Sequence, residues 1–342
     1  MRLKGRHFIE TQDWSREELE RLLDIAGQLK SDFHHGWQTV HLPLHTIFLL
    51  FFDKSTRTRN AFEAGATQLG AHAHFLDADQ MRISHGETPE DTGRILGSMG
   101  HGIAIRHNQI PGVGNAYMRA VASASQVPII NLQSDVDHPT QTLADLMTMR
   151  EIFGADLRGR KIAITWAHAS APVRPLSVPQ GLVTLLTRFG IDVTLAHPPE
   201  YKLMDHVMER ARKNAAETGG RFEVVDSMDA AFENADIVYP KNWGAIEFLA
   251  RRSELKTRVD AEANDAACVK LGAQYKDWTC DEKRMKLARP RAVYMHSMPV
   301  LRGDEVSDQV IDGPQSVVFQ QAENRLHTAK AIMVSVMRER PF

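Results

Sequence analysis

Nine short apolar runs alternate with helix-patterned stretches along this chain, and that alternation limits its fold more than any other feature. The runs are "TIFLLFF", "HAHFLD", "GIAIRH" and "VPIINL" in the first part, then "KIAITW", "DVTLAH", "FEVVD", "DIVYP" and "AVYMHS" in the second. Each is too short for a helix and rich in Ile, Val and Phe, which marks buried strands; helices between them lead to parallel sheets covered by helices. The expected class is α/β. At 342 residues the chain exceeds one ordinary core and suits two domains of roughly 150 residues each. The helix "PTQTLADLMTMREIFG", closed by Gly154, falls at the join. Residues 1–150 therefore form one domain and 151–321 the other. A final pattern, "AENRLHTAKAIMVSVM", gives a C-terminal helix. In the first helix, "SREELERLLDIAGQL", Ser15 and Glu18 make a capping box, while Leu19, Leu22, Leu23, Ala26 and Leu29 share a face expected to pack on a sheet.

In open α/β sheets ligands sit beyond the carboxyl ends of strands, where the following helix begins. The segment "FFDKSTRTRNAFEAG" (51–65) puts Ser55, Thr56, Arg57, Thr58 and Arg59 at such a junction. Free backbone N–H groups and the positive end of the helix dipole attract an anion there. Hydroxyls add donors, and arginine adds a planar fork for phosphate oxygens. Arginines otherwise oppose the dipole at that end, so a phosphate cradle accounts for them better than a solvated first turn. It is not a Walker loop, since no GxxxxGK[ST] occurs. Three further groups lie at predicted strand ends or helix starts. His138 and Gln141 of "DHPTQTLAD" are one helical turn apart and can face one point. Arg106 ends "GIAIRH", and the proline of "YMHSMP" leaves backbone carbonyls available as acceptors. Singly, His138 could be a capping histidine and Arg106 a surface charge; together they point to convergence.

Composition narrows the function classes. Lys+Arg 41 against Asp+Glu 43 gives a formal charge of −2, which indicates no broad basic surface for nucleic acid. Cys268 and Cys280, twelve apart and without CxxC, favour neither a disulfide scaffold nor a cysteine zinc site. The N-terminus lacks a signal-peptide core and no apolar run is long enough to span a membrane, so a cytoplasmic protein is expected. His72 and His74 alternate on a strand without a nearby third ligand, which favours an ordinary histidine pair over a metal site. "GVGNAY" (112–117) lacks the third glycine of a dinucleotide loop and reads as a turn.

With these residues in place, "STRTR", "HPTQTLAD", "HSMP" and "GPQSVVFQQAENRLHTAKAIM" resemble, in order and over nearly the whole chain, the signatures of the aspartate/ornithine carbamoyltransferase superfamily. The second half, through "TWAHASAPVRPLSVPQG", "GIDVTLAHPPEY", "VYPKNWGA" and "DWTCDEKRMKLA", is most similar to the knotted transcarbamylases. That group holds the N-acetylornithine and N-succinylornithine enzymes and a branch of uncertain substrate. The resemblance implies two parallel-sheet domains. The first binds carbamoyl phosphate, with the C-terminal helix 322–342 packing back on it, and the second binds the amine. It also implies a trefoil knot in the C-terminal domain through the loop 167–181. The implied reaction moves the carbamoyl group from carbamoyl phosphate to an amine, giving a ureido product and phosphate, with no metal and no cofactor. By the same resemblance Ser55, Thr56, Arg57, Thr58 and Arg325 hold the phosphate, and Arg106, His138 and Thr58 polarise the carbonyl. Gln141 and the backbone carbonyls around Ser297 and Met298 hold the carbamoyl amino group, while Asn131 contacts the second substrate. The loop "DQMRISHGETPEDTGRILG" offers Arg82, His85 and Glu87 to a neighbouring subunit, implying a homotrimer with shared active sites. Arg302 lies in a substrate-side loop.

Two departures bear on the acceptor. Ser297 and Met298 replace the Cys-Leu of the ornithine enzymes' HCLP motif, which preserves a carbonyl role and removes a thiol. Lys241 stands where those enzymes place an aspartate for the substrate's α-ammonium. Exchanging attraction for repulsion at ~4 Å changes that interaction by about 8 kcal/mol at an effective dielectric near 20, before solvent screening reduces it to a few. Lys241 therefore suits an acceptor with a carboxylate or an acylated α-nitrogen. The alternatives weighed are an ordinary ornithine carbamoyltransferase and a non-catalytic binding protein; retention of the whole phosphate and carbonyl set argues against the latter.

Overall fold

The computed structural model describes residues 3–170, 174–255 and 257–338. The chain divides into two compact units. One comprises residues 1–108, 112–147 and 322–342; the other comprises 109–111 and 148–321. The divisions fall within the helices Pro139–Phe153 and Val318–Met337.

In the first unit, β1 (Thr46–Phe51), β2 (His72–Asp77), β3 (Gly102–Arg106) and β4 (Ile129–Gln133) form a sheet of order β2-β1-β3-β4, with every pair parallel. Phe51 pairs with both Asp77 and Arg106, so the strands stop at one level and their carboxyl ends share an edge. Helix α1 (Arg16–His34) opens with the Ser15/Glu18 capping box and buries Leu19, Leu22, Leu23, Ala26 and Leu29. Helices α2 (Arg57–Gln68), α3 (Pro89–Met99) and α4 (Gly114–Ala124) follow β1, the 80s segment and β3. Phe48, Leu50, Ile103, Ile105 and Ile129 pack with Leu96 of α3 and with Met118 and Val121 of α4. Such apolar side chains contribute about 1.5–3 kcal/mol each when fully buried. Residues 322–337 of the last helix belong to this unit and lie close to α2 and β3: an added methyl at Gly65 would meet Met333 at 3.1 Å, and one at Gly102 would meet Met337 at 3.3 Å. Polar contacts tie α1 to this helix, through Lys30 Nζ to Asn324 Oδ1 (2.8 Å) and through Lys330 Nζ to the carbonyl of Leu29 (3.4 Å).

In the second unit β5 (Lys161–Trp166), β6 (Asp192–Ala196), β7 (Phe222–Val225), β8 (Ile237–Lys241) and β9 (Val293–Tyr294) form a parallel sheet of order β7-β6-β5-β8-β9. Every predicted run is a strand, though the last is shorter than "AVYMHS". Met295 still donates to the carbonyl of Val238, but the His296 N–H turns to the Gln321 side chain, which ends the ladder. The loop 167–181 contains residues 171–173, so the predicted threading of the chain lies partly outside the described residues. Among those described, no helix is long and apolar enough to cross a membrane.

One sequence reading is corrected. Gly112 to Tyr117 is not a plain turn, because α4 begins at Gly114. Asp135 draws the segment together by accepting from Gly112 N (2.6 Å) and Asn115 N (2.7 Å), and a methyl group at Gly114 would lie 1.7 Å from the carbonyl oxygen of His107. The backbone approaches too closely there for any side chain. Gly114→Ala is expected to lower the unfolding free energy by about 3 kcal/mol or more, measured by guanidinium melts. An unchanged midpoint would show that the segment relaxes without cost.

Candidate active site

The first cluster occupies the carboxyl edge of the first unit's sheet. Thr56 caps α2 and Arg57 is its first residue, so the helix's free N–H groups open beside the strand end as the sequence predicted. Ser55 and Arg57 are half-buried, and Thr58 is buried. Arg325, also buried, reaches from the last helix to donate through Nη2 to the Thr58 hydroxyl. Arg106 ends β3 with 12 % of its side chain exposed, and its Nη2 lies 3.8 Å from Asp53 Oδ2. Burial lowers its pKa to about 10; Asp53 opposes that shift and the positive charge of Arg57 adds to it. Arg106 therefore stays protonated at neutral pH. Two mutually repelling guanidiniums with one nearby carboxylate form a pocket of charge that a multivalent anion would relieve.

His138 and Gln141 stand where helix α5 (Pro139–Phe153) begins. The carbonyl of His138 accepts from Gln141 N (2.9 Å) and Thr142 N (3.1 Å), and the histidine is buried. Its Nδ1 is 3.3 Å from the Thr140 hydroxyl. Gln141 Nε2 donates to Asp145 Oδ1 at 2.7 Å, which orients the amide and leaves Oε1 buried with no partner. A buried carbonyl oxygen without a donor is costly, and an N–H of a bound molecule would satisfy it.

Asn131 is differently placed from a residue free to reach a substrate. Its Nδ2 donates to the carbonyls of Ile9 (2.6 Å) and Asp137 (3.2 Å) and to Ser134 Oγ (3.2 Å), so it ties down the turn leading into His138. Its Oδ1 has no partner. Asp137, which sequence reasoning missed, is buried in the same turn. It accepts from Thr11 N (2.8 Å) and Thr11 Oγ1 (3.1 Å), and burial raises its pKa to about 7 against these bonds. In the 80s segment Glu87 accepts from the Thr92 hydroxyl (2.6 Å), and Arg82 and His85 lie on an exposed turn of 3-10 helix. His72 and His74 are exposed on β2 with ring centroids 6.2 Å apart.

The second cluster belongs to the second unit and was largely illegible in the sequence. Lys241 ends β8 and is buried. Glu305 is fully buried and accepts from Asn242 N (2.8 Å), Leu301 N (2.8 Å) and His296 Nε2 (3.2 Å), with Arg174 Nη1 at 3.7 Å. Because the Met298 N–H donates to His296 Nδ1 (2.9 Å), the ring proton sits on Nε2 and points at Glu305. Burial keeps this histidine below its ordinary range, hence neutral. Burial alone would raise Glu305, but the bond from His296 and the charges of Lys241 and Arg174 outweigh it and hold the carboxyl at about 2. The chain Glu305–His296–Met298 thus fixes the loop bearing Ser297 and Met298, with Met298 at φ +51°. Arg174 adds a bond to the carbonyl of Pro299 (2.9 Å). Arg302 is used elsewhere: its fork binds Asp308 (2.7 Å) and Asp312 (2.6 and 2.8 Å). The HSMP motif hinted at His296, but nothing in "RGDEV" marks Glu305 as a buried carboxylate.

Residues 6–151 match the model for the aspartate/ornithine carbamoyltransferase, carbamoyl-P binding domain, and residues 176–336 match that for the Asp/Orn binding domain. The chain belongs to the aspartate/ornithine carbamoyltransferase family. It is a carbamoyltransferase with an amino-acid type of acceptor. It is 37% identical to "Putative carbamoyltransferase YgeW" of Escherichia coli K12, over 99% of this chain and 91% of that protein. It is 35% identical to the N-acetylornithine carbamoyltransferase of Xanthomonas campestris, over 97% and 98%. An acetylornithine transcarbamylase crystallised with acetylcitrulline superposes with a TM-score of 0.85, 33% identity and coverage of 98% and 100%.

Glu305→Gln keeps the side chain's shape and removes the one anion beside Lys241 and Arg174. Breaking a buried charge set in this way is expected to cost about 3–5 kcal/mol at pH 7. The native carboxyl is depressed relative to the unfolded chain. Its stabilisation is therefore present above pH about 4.5 and disappears as pH falls toward 2. Chemical denaturation across that range should show the difference between native protein and variant shrinking on acidification; a constant difference would assign the loss to packing.

Proposed function

We propose that this carbamoyltransferase uses an acceptor that carries a carboxylate or an acylated α-nitrogen, rather than free ornithine. Lys241 supports this reading. It is a buried cation at a strand end, and with Arg174 it acts on the buried carboxylate of Glu305. A positive charge at that position opposes an α-ammonium group and suits a carboxylate or an uncharged acylated nitrogen. Relatives and structural neighbours whose names carry N-acetylornithine agree with an acylated acceptor.

The roles follow from the chemistry. Ser55, Thr56, Arg57, Thr58 and Arg325 bind the phosphate of carbamoyl phosphate. Arg106, His138 and Thr58 face the carbonyl oxygen, where negative charge builds as the amine attacks the carbonyl carbon. Donors already oriented by burial stabilise that charge without reorganising. Gln141 Oε1 and the carbonyls of Ser297 and Met298 accept from the carbamoyl amino group and turn its carbonyl carbon toward the amine. The N–C bond forms, the C–O bond to phosphate breaks, and the departing phosphate takes the amine's proton, so no separate base is required. Asn131 positions the turn before His138, and Glu87 acts from a neighbouring subunit of a cytoplasmic homotrimer. With its guanidinium committed to Asp308 and Asp312, Arg302 has no direct role in this scheme. No metal or organic cofactor takes part. The unit containing Arg106 serves carbamoyl phosphate, and that containing Lys241 serves the acceptor. The threaded loop of the knotted relatives remains part of the proposal.

The observation that carries the transfer reading is the buried Arg106 beside Arg57 at a strand-end edge, with Arg325 bound to Thr58. Phosphate release from carbamoyl phosphate should be measured with ornithine, N-acetylornithine, N-succinylornithine, aspartate, putrescine and short ω-amino acids. Turnover is expected with an acylated or acidic acceptor. Arg57→Ala should reduce kcat/KM by about 10²–10³, the usual cost of an oriented donor to developing charge, and Lys241→Gln should raise KM for the acceptor. Preferred use of free ornithine would overturn the role given to Lys241, while undiminished turnover in Arg57→Ala would overturn the cradle.

A further inference from the structure

A second constellation lies in the first unit, on the faces that α1 and the last helix present to each other. His34, the final residue of α1, places Nε2 2.8 Å from Glu323 Oε1. His327, one turn beyond Glu323 on the last helix, places Nε2 3.3 Å from the same oxygen. Among the described residues this is the one group of three or more ligand-type side chains whose donor atoms converge, all within 4.8 Å of one another. We propose that His34, Glu323 and His327 form a binding site for a divalent cation of the zinc type, with a water as fourth ligand.

The geometry suits that ion. Metal–nitrogen and metal–oxygen bonds of about 2.0–2.2 Å at tetrahedral angles put ligand atoms roughly 3.3–3.5 Å apart. The two recorded separations, 2.8 and 3.3 Å, lie at or just below that spacing, and no pair of ligand atoms is more than 4.8 Å apart, so small side-chain movements suffice. His34 and Glu323 can supply them, since their side chains are 54% and 36% exposed while that of His327 is fully buried. One rigid ligand and two adjustable ones leave an open side toward solvent for water. Two imidazoles with one carboxylate form a donor set that zinc accepts and that magnesium or calcium, which prefer oxygen, do not. No hydrogen bond fixes the His327 ring from behind, because its buried Nδ1 has no partner. Without the metal, Nε2–H faces the Glu323 carboxylate; ligation moves the ring proton to Nδ1, which no other bond holds.

Charges on the packed elements work against the cation. Lys30 of α1 and Lys330 of the last helix flank the site. Both are held off by partners: Lys30 donates to Asn324 Oδ1, and Lys330 donates to Gln68 Oε1 (3.0 Å) and the Leu29 carbonyl. Arg325 lies two residues from each ligand on the last helix, and its guanidinium binds Thr58 on the other side of that turn. A bound cation would tie the end of α1 to the turn that carries Arg325. The site does not depend on the carbamoyl-transfer reading.

The test uses the full chain, freed of metal and titrated with Zn²⁺ while Tm is followed, then with Co²⁺ while visible absorption is recorded. One equivalent of Zn²⁺ should raise Tm, and Co²⁺ should give the intense d–d bands of a four-coordinate ion that Zn²⁺ displaces. His327→Ala and Glu323→Gln should each weaken Zn²⁺ binding by at least the about tenfold that loss of even an outer-shell partner costs, and should abolish the bands. His34→Ala, at an exposed side chain, carries the same expectation if the buried substitution impairs folding. A His72→Ala/His74→Ala double variant should bind as the native protein does. Equal affinity in His34→Ala and native protein, loss of binding only in the His72/His74 variant, or a pale six-coordinate cobalt spectrum would each overturn the site.

Discussion

Parallel pairing is the constraint from which the rest of this molecule follows. Parallel strands need a crossover between successive members, so helices must alternate with strands and both faces of each sheet must be apolar. All strand carboxyl ends then fall on one edge. In the first sheet Phe51, Asp77 and Arg106 share a level, and the chain leaves that edge through Asp53, Ser55 and Arg57. Polar groups collected there come from segments far apart in sequence. The register of hydrogen bonds, set by core residues such as Leu50 and Ile105, therefore decides which charges become neighbours.

Charge balance separates the two clusters. Around Arg106 the cations outnumber the nearby carboxylate, and burial makes the imbalance expensive unless an anion arrives. Around Glu305 the anion belongs to the protein. It satisfies two backbone N–H groups, a histidine and two cations, and so builds a loop rather than binding a ligand. The first arrangement awaits a partner and the second supplies a scaffold. Lys241 and Arg174 share the Glu305 carboxylate.

The nine strands of the described residues were legible: most are buried and carry continuous apolar runs, while the exposed edge strands β2 and β7 are marked only by short runs such as Phe75-Leu76 and Val224-Val225. The capping box of α1 and the helix start at Arg57 were legible too, since caps depend on residues three positions apart. Reading failed at Gly114, which looked like part of a turn until the His107 carbonyl was seen 1.7 Å from the position of its absent methyl group.

The sequence by itself determined the class of fold, the order of elements, the phosphate-type cluster at 55–59 and the family, because these rest on local periodicity, capping and short motifs. Only the tertiary structure decided that Arg325 reaches Thr58, that Gln141 presents an unpaired oxygen, that Glu305 is a buried anion and that His34 meets Glu323 and His327. Each of these depends on the field and solvent exclusion produced when distant segments pack together. A one-dimensional pattern records which groups are present, but their pKa values and unsatisfied bonds arise only after burial.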